Sequence, residues 1–184
     1  MIEIQDPATL RERVGQELAI SDWLEITQER INQFAEATGD RQWIHVDPAR
    51  AAVESPFKAA VAHGFLTLSL VSVLARRAMQ FGHLRMAINY GVNRVRFVTP
   101  VPSGSQVRGR FTPISVEEVR GGIQVVWNVT IEREGGAKPC CVAEWLVRYY
   151  PVQTGEGPRP GDRGASSSAM LNDELARHHP RRKR

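Results

Sequence analysis

A carboxylate and an imidazole lie five residues apart, Asp40 and His45, behind a glycine in the stretch Phe34-Ala-Glu-Ala-Thr-Gly-Asp-Arg-Gln-Trp-Ile-His-Val-Asp47. Asp and His are the natural side chains for moving protons near neutral pH, and a loop between two helices can aim both at one point. Trp43 and Ile44 between them would dry such a site and shift its pKa values. A loop hydrogen bond with no chemistry gives the same spacing, so the pair alone does not decide. A second element is Ala62-His63-Gly64-Phe65, at the expected start of an apolar helix. The first turn of a helix offers unpaired N–H groups and a partial positive charge. A glycine there lets a ligand oxygen that gathers negative charge come close to the backbone. Tight packing is the competing reason for glycine at 64.

The elements that must position these residues follow from pattern. Asp6-Pro7 opens a short capped helix that ends at Gly15, and Leu18 to Ile26 reads as a strand passage with a kink at Ser21-Asp22. Thr27 is an N-cap, Ile31, Phe34, Ala35 and Thr38 share one face, and Gly39 is a C-cap. Asp47-Pro48 caps a further short helix. Gly64–Gln80 is apolar nearly all round, which predicts one long buried helix whose Thr67, Ser69 and Ser72 hydroxyls turn back on its own backbone. From Arg85 the period becomes two. Four long strands joined by turns at Pro100–Gly104, Gly121-Gly122 and Gly135-Gly136 predict an antiparallel meander. The class is α+β: a curved antiparallel sheet around a long central helix, with open edges that a second copy could cover.

Composition sets the limits. The chain has 184 residues, 42% hydrophobic and 24% charged, with a net charge of +4. From Pro151 onward there are seven Lys/Arg and four Asp/Glu, so three of those charges lie in the C-terminal segment and the body carries one. Such a body lacks an electrostatic footprint for nucleic acid. Two adjacent cysteines, Cys140 and Cys141, would point to opposite faces of a strand, which leaves no disulfide framework and fits a reducing compartment. The N-terminus has neither the basic start nor the apolar run of a secretory signal, and the apolar run near residues 61–75 is too short and too interrupted to span a bilayer. Residues 1–150 read as a single domain and 151–184, rich in Gly, Pro, Ser and Arg, as a disordered basic tail with a short helix near Ala169–Arg177.

Taken together, Ala37-Thr-Gly-Asp40-Arg-Gln-Trp-Ile-His45-Val-Asp-Pro, Ala62-His-Gly-Phe-Leu-Thr-Leu-Ser69 and Ile88-Asn-Tyr-Gly-Val-Asn-Arg-Val-Arg-Phe97 leading to Pro100-Val-Pro resemble the signature of the MaoC-like dehydratases. These are the (R)-specific enoyl-CoA hydratases, and the chain is most similar to the branch named after nodulation protein N. The resemblance spans about Val14 to Tyr150. It implies the hot-dog fold and a reversible hydration of trans-2-enoyl thioesters in fatty acid metabolism. Asp40 and His45 would hold the catalytic water, and Gly64 would offer its N–H to the thioester carbonyl. Further implications are an acyl-CoA or acyl-carrier-protein substrate, sites at the interface of a homodimer, and no metal or organic cofactor. The commoner signature carries Asn-Pro where this chain has Gln42-Trp43, a change that bears on loop shape and acyl-pocket size.

Trp43, His63, Asn89 and Asn93 complete the candidate substrate-side residues. His63 also reads as a loop anchor, the two asparagines as groups that satisfy nearby backbone, and Asp47 as an N-cap. Arg94, Arg96, Arg108 and Arg110 read as a solvated strand face or as contacts to the phosphates of the acyl carrier. Trp127 and Trp145 are expected in the core. The expected setting is cytoplasmic, without nucleic acid or membrane. Rival readings are a thioesterase on the same fold, a non-catalytic acyl-channel subunit of a heteromeric dehydratase, and a nucleic-acid role for the basic tail. Deleting residues 152–184 separates the last, because the hydratase reading needs none of them.

Overall fold

The computed structural model describes residues 1–152, which form one unit; the expected tail and its helix near residues 169–177 lie outside the described residues. In chain order the elements are β1 (Ile2–Ile4), a 3-10 helix (Pro7–Arg13), β2 (Ala19–Ile20), β3 (Leu24–Ile26), α1 (Gln28–Thr38), α2 (Trp43–Val46), α3 (Pro48–Glu54), α4 (Gly64–Ser69), α5 (Val71–Ala78), β4 (Met79–Phe81), β5 (Leu84–Phe97), β6 (Ser105–Val119), β7 (Gly122–Arg133) and β8 (Cys141–Pro151). The caps are where the residue types put them. Asp6 accepts from the Ala8 N–H, Thr27 from Arg30 and Asp47 from Arg50. Gly39 ends α1 in the left-handed region at φ 78°, returning its N–H to the Ala35 carbonyl. The kink at Ser21-Asp22 is real: the Ser21 hydroxyl donates to the Asp22 carbonyl and accepts from the Gly109 N–H, which separates β2 from β3.

The main sheet is antiparallel in the order β2-β6-β7-β8-β5, with β3 also on β6. This corrects the expected meander. β6, β7 and β8 are joined by hairpins, but β5 lies beyond β8 and does not pair with β6. Pro100-Val101-Pro102 therefore carries the chain across rather than round a turn: Ala62 N–H donates to Val101 O and Val61 bridges to Pro102. The result is an α+β hot-dog fold with β5 as an edge strand, and most of its side chains are exposed.

The single long helix is also corrected. The Ser69 hydroxyl donates to Leu66 O at 2.7 Å, and the Leu70 N–H is split between Leu66 O and Thr67 O at 3.3 Å each. That competition interrupts the regular ladder and divides the segment into α4 and α5. It ends at Ala78 because Met79–Phe81 pair in parallel with Ile2–Ile4. Nor is the segment buried on every side, since Phe65 is 69% exposed. Thr67 and Ser69 turn back on the helix as expected, whereas the Ser72 hydroxyl accepts from Asn89 Nδ2 on β5.

Leu66, Leu70, Val71 and Leu74 join Val107, Phe111, Val125, Trp127, Val129, Ile131, Trp145 and Val147 in one core. Trp127 is fully buried and donates its indole N–H to the Tyr149 hydroxyl at 3.1 Å. Trp127→Ala leaves a large void and an orphaned phenol, so a loss of about 3–5 kcal/mol in denaturant unfolding is expected. On the outer face Arg108 and Arg110 share Glu132, Arg110 also holds Glu17, and Arg108 lies over the Trp23 ring. Arg94 pairs with Glu144 and Arg96 donates to the Val95 carbonyl.

Candidate active site

The end of α1, the short α2 and the start of α4 meet at one point. Gly39 turns the chain out of α1, so Asp40 follows at a fixed angle, and its N–H lies 3.4 Å from the Thr38 hydroxyl. Arg41 swings back to pair with Glu36 on α1. One turn later α2 carries His45 inward, and Gln28 of α1 holds the His45 carbonyl at 2.7 Å. His63 is the N-cap position of α4. The side-chain donor atoms of Asp40, His45 and His63 all lie within 4.8 Å of one another.

The burial is uneven. His45 and His63 are 8% and 3% exposed, while the Asp40 side chain is 58% exposed. His45 Nδ1 is 2.6 Å from the Val61 carbonyl. A carbonyl can only accept, so Nδ1 carries the proton and Nε2 is left with a lone pair in the neutral ring. His63 Nε2 lies 2.9 Å from the Asp40 carbonyl and is a donor by the same argument. The two imidazoles are stacked, with centroids 3.7 Å apart. Their in-plane lone pairs therefore run side by side instead of converging, and two of the four ring nitrogens already serve carbonyls. The set suits proton handling better than metal ligation.

Burial lowers the His45 pKa from its ordinary 6.5; the Val61 carbonyl opposes this, the neighbouring His63 adds to it, and Asp40 opposes it. The neutral ring is thus the resting form. Since the unfolded chain binds the proton more readily, acidification costs stability: the contribution is intact above pH 6.5 and is lost as pH falls toward the folded pKa. Protonation also removes the Nε2 acceptor. The acid limb of kcat/KM for a reaction that needs this acceptor is expected to have its midpoint below pH 6.5, measurable as a pH–rate profile.

The other sequence candidates sort differently. A Cβ on Gly64 would meet the Phe97 ring at 2.7–2.9 Å, so close packing accounts for this glycine whatever else its N–H does. A cavity of about 360 Å³ opens there, bounded by Gly64, Thr67, Phe97 and Val101 among others. Trp43 is half-buried, and the Arg50 guanidinium caps its ring at 4.4 Å, on the α3 side. Asn89 ties β5 to α5 through Ser72, and Asn93 is exposed at the register shift between Val92 and Val95. The structure brings Asp40, His45 and His63 together; it does not bring Trp43, Asn89 or Asn93 into hydrogen-bonding contact with them. Sequence reasoning missed the Val61 carbonyl, which any residue supplies, and Phe97, which alternation assigns simply to a strand. It also missed Phe34, whose ring lies 5.0 Å from that of His63 although its helical spacing marks it as core.

Comparison with known proteins gives a consistent answer. The MaoC like domain family model matches residues 9–134. The chain is 48% identical over 150 residues to 3-hydroxyacyl-thioester dehydratase Z of Mycobacterium tuberculosis, covering 81% of this chain and 99% of that protein. It is 50% identical over 148 residues to nodulation protein N of Rhizobium meliloti, covering 79% of this chain and 90% of the relative. Among solved structures, the unliganded R-hydratase PhaJ1 of Pseudomonas aeruginosa superposes with a TM-score of 0.60 at 25% identity, covering 79% of this chain and 89% of the other.

Proposed function

The chain belongs to the MaoC-like dehydratase family, and on that premise we propose that Asp40 and His45 are the acid–base pair of an (R)-specific enoyl-thioester hydratase. The enzyme is a hydro-lyase, run in reverse as a 3-hydroxyacyl-thioester dehydratase. The observation that carries the assignment of the pair is the Nε2 of a buried, neutral His45, unpartnered among the described residues, beside an open Asp40 carboxylate.

The chemistry needs these parts. Water adds through oxygen to the β carbon of the enoyl thioester, and the electron pair of the double bond moves toward the carbonyl oxygen. The enolate then takes a proton at the α carbon. A water held between the Asp40 carboxylate and His45 Nε2 gives one proton to the pair, and the pair returns one proton to the α carbon. The site ends in its starting protonation state, with one water added. Charge that builds on the thioester oxygen needs a waiting donor; the Gly64 N–H at the first position of α4 is the proposed one. Trp43, Asn89 and Asn93 are proposed around the substrate and His63 behind the acid–base pair, with coenzyme A or a carrier protein bearing the acyl group.

A homodimer is part of the proposal. β5 leaves one edge unpaired among the described residues and exposes Met86, Val92 and Phe97, with Phe65 alongside Phe97. A second copy on this edge would cover these side chains and close the open side of Asp40. Sedimentation should therefore give two copies, and Val92→Asp should shift the protein to monomer with a fall in activity. The proposed setting is cytoplasmic, in keeping with two free, buried cysteines; no helix among the described residues is long and apolar enough to cross a membrane.

The test is an assay of crotonyl-CoA and a longer trans-2-enoyl-CoA, with loss of the enoyl absorbance and release of free thiol followed together. Loss of absorbance without thiol is the expected result. Thiol release from a saturated acyl-CoA would instead make the protein a thioesterase.

A further inference from the structure

We propose that His63 is a positioning residue for the acid–base pair, one side chain that fixes both the plane of the His45 ring and the backbone of the Asp40 loop. The inference rests on the hydratase reading of that pair. His63 is 3% exposed and sits at the entry to α4, where the backbone is held by the Thr67 N–H on the His63 carbonyl. One face of its ring stacks on His45 at 3.7 Å with 26° between the planes, and the Phe34 ring lies 5.0 Å away. The ring edge donates from Nε2 to the Asp40 carbonyl at 2.9 Å. His63 thus joins three segments: α1 through Phe34, the Asp40 loop through a hydrogen bond, and α2 through the stack on His45.

The arrangement is costly unless it does something. His63 Nδ1 is buried with no hydrogen-bond partner among the described residues. A phenylalanine would stack without an orphaned nitrogen, and a glutamine would serve the Asp40 carbonyl without a ring. Histidine combines a flat face with an edge donor in a single small ring, whereas tryptophan and tyrosine would need more room. His63 itself lies too far from Asp40 for a direct side-chain bond, with Nε2 to Oδ2 at 4.0 Å, so its hold on Asp40 is through the backbone carbonyl and leaves the carboxylate available. The titratable groups that face His45 are Asp40, from the loop after α1, and His63, from the start of α4; α1 contributes neutral Gln28 on the His45 carbonyl.

Three variants separate the two functions. His63→Phe keeps the stack and loses the donor, His63→Gln keeps a donor and loses the stack, and His63→Ala loses both. Steady-state hydration of crotonyl-CoA and the NMR signal of the His45 Nδ1 proton are recorded for each beside wild type. The expected result is a kcat loss of roughly a hundredfold in His63→Ala with KM within about twofold, since a small displacement of positioned groups costs this much. His63→Phe and His63→Gln should each recover part of it. The His45 Nδ1 proton should exchange slowly in wild type and in His63→Phe and broaden in His63→Ala. A kcat within about twofold of wild type in folded His63→Ala, or an unchanged Nδ1 signal there, would overturn the proposal. An inactive wild type with that signal lost in His63→Ala would preserve the positioning role and sink the hydratase reading instead.

Discussion

Asp40→Asn and His45→Gln are each expected to lower kcat for hydration of an enoyl thioester by at least about a hundredfold, the usual scale for removing a positioned proton-transfer group. The two should differ in what else they cost. The Asp40 side chain is 58% exposed and its fold-holding contact is its main-chain carbonyl, so Asp40→Asn should unfold at nearly the wild-type denaturant concentration. His45→Gln removes the ring that stacks on His63 and serves the Val61 carbonyl. Leaving that carbonyl unpaired should cost about 1–3 kcal/mol on top of the catalytic loss. If the two groups act on one water, as proposed, the double variant should be hardly worse than either single one. A variant that keeps more than about a tenth of wild-type kcat would remove its residue from the proton path.

The second large effect concerns Gly64. A methyl group there would fall 2.7–2.9 Å from three ring atoms of Phe97. Gly64→Ala is therefore expected to cost about 1–3 kcal/mol of stability through forced repacking, and to depress activity by shifting the start of α4. Alanine keeps the backbone N–H, so the proposed donor is not deleted. Phe97 is 46% exposed in the protomer and lies on the proposed dimer edge, so Phe97→Ala alone is measured as the control for trimming it. Adding Phe97→Ala to Gly64→Ala should restore most of the stability. If kcat returns too, the glycine is needed for room around Phe97. If stability returns and kcat stays low, the Cβ itself stands where the thioester must lie.

Much of the fold was legible. The caps at Thr27, Gly39 and Asp47 sit where side-chain chemistry places them, because an N-cap or a left-handed C-cap depends on one or two residues and little on context. Strand periodicity after Arg85 was equally clear. Strand order was not, since a Pro-rich passage reads the same whether it turns a hairpin or crosses a sheet; the pairing that runs from Leu84 with Pro151 to Phe97 with Cys141 shows that β5 lies against β8. The break at Leu70 depends on a Ser69 hydroxyl choosing the Leu66 carbonyl, one of two acceptors a serine can reach in a helix. In the site, Asp40 and His45 were visible as residue types at a spacing. The stack of His45 on His63 joins residues 18 apart in sequence through α3 and its loop, and no local pattern announces it. The Val61 carbonyl that fixes the His45 tautomer leaves no trace in residue identity at all.

As proposed, this open carboxylate and neutral imidazole add water to an enoyl thioester with one stereochemical outcome. The direct measurement is chiral analysis of the product formed by the wild-type protein from crotonyl-CoA. The expected product is (R)-3-hydroxybutyryl-CoA, formed without free thiol and absent with Asp40→Asn. An (S) product, or an (R) product that Asp40→Asn forms at the wild-type rate, would contradict it.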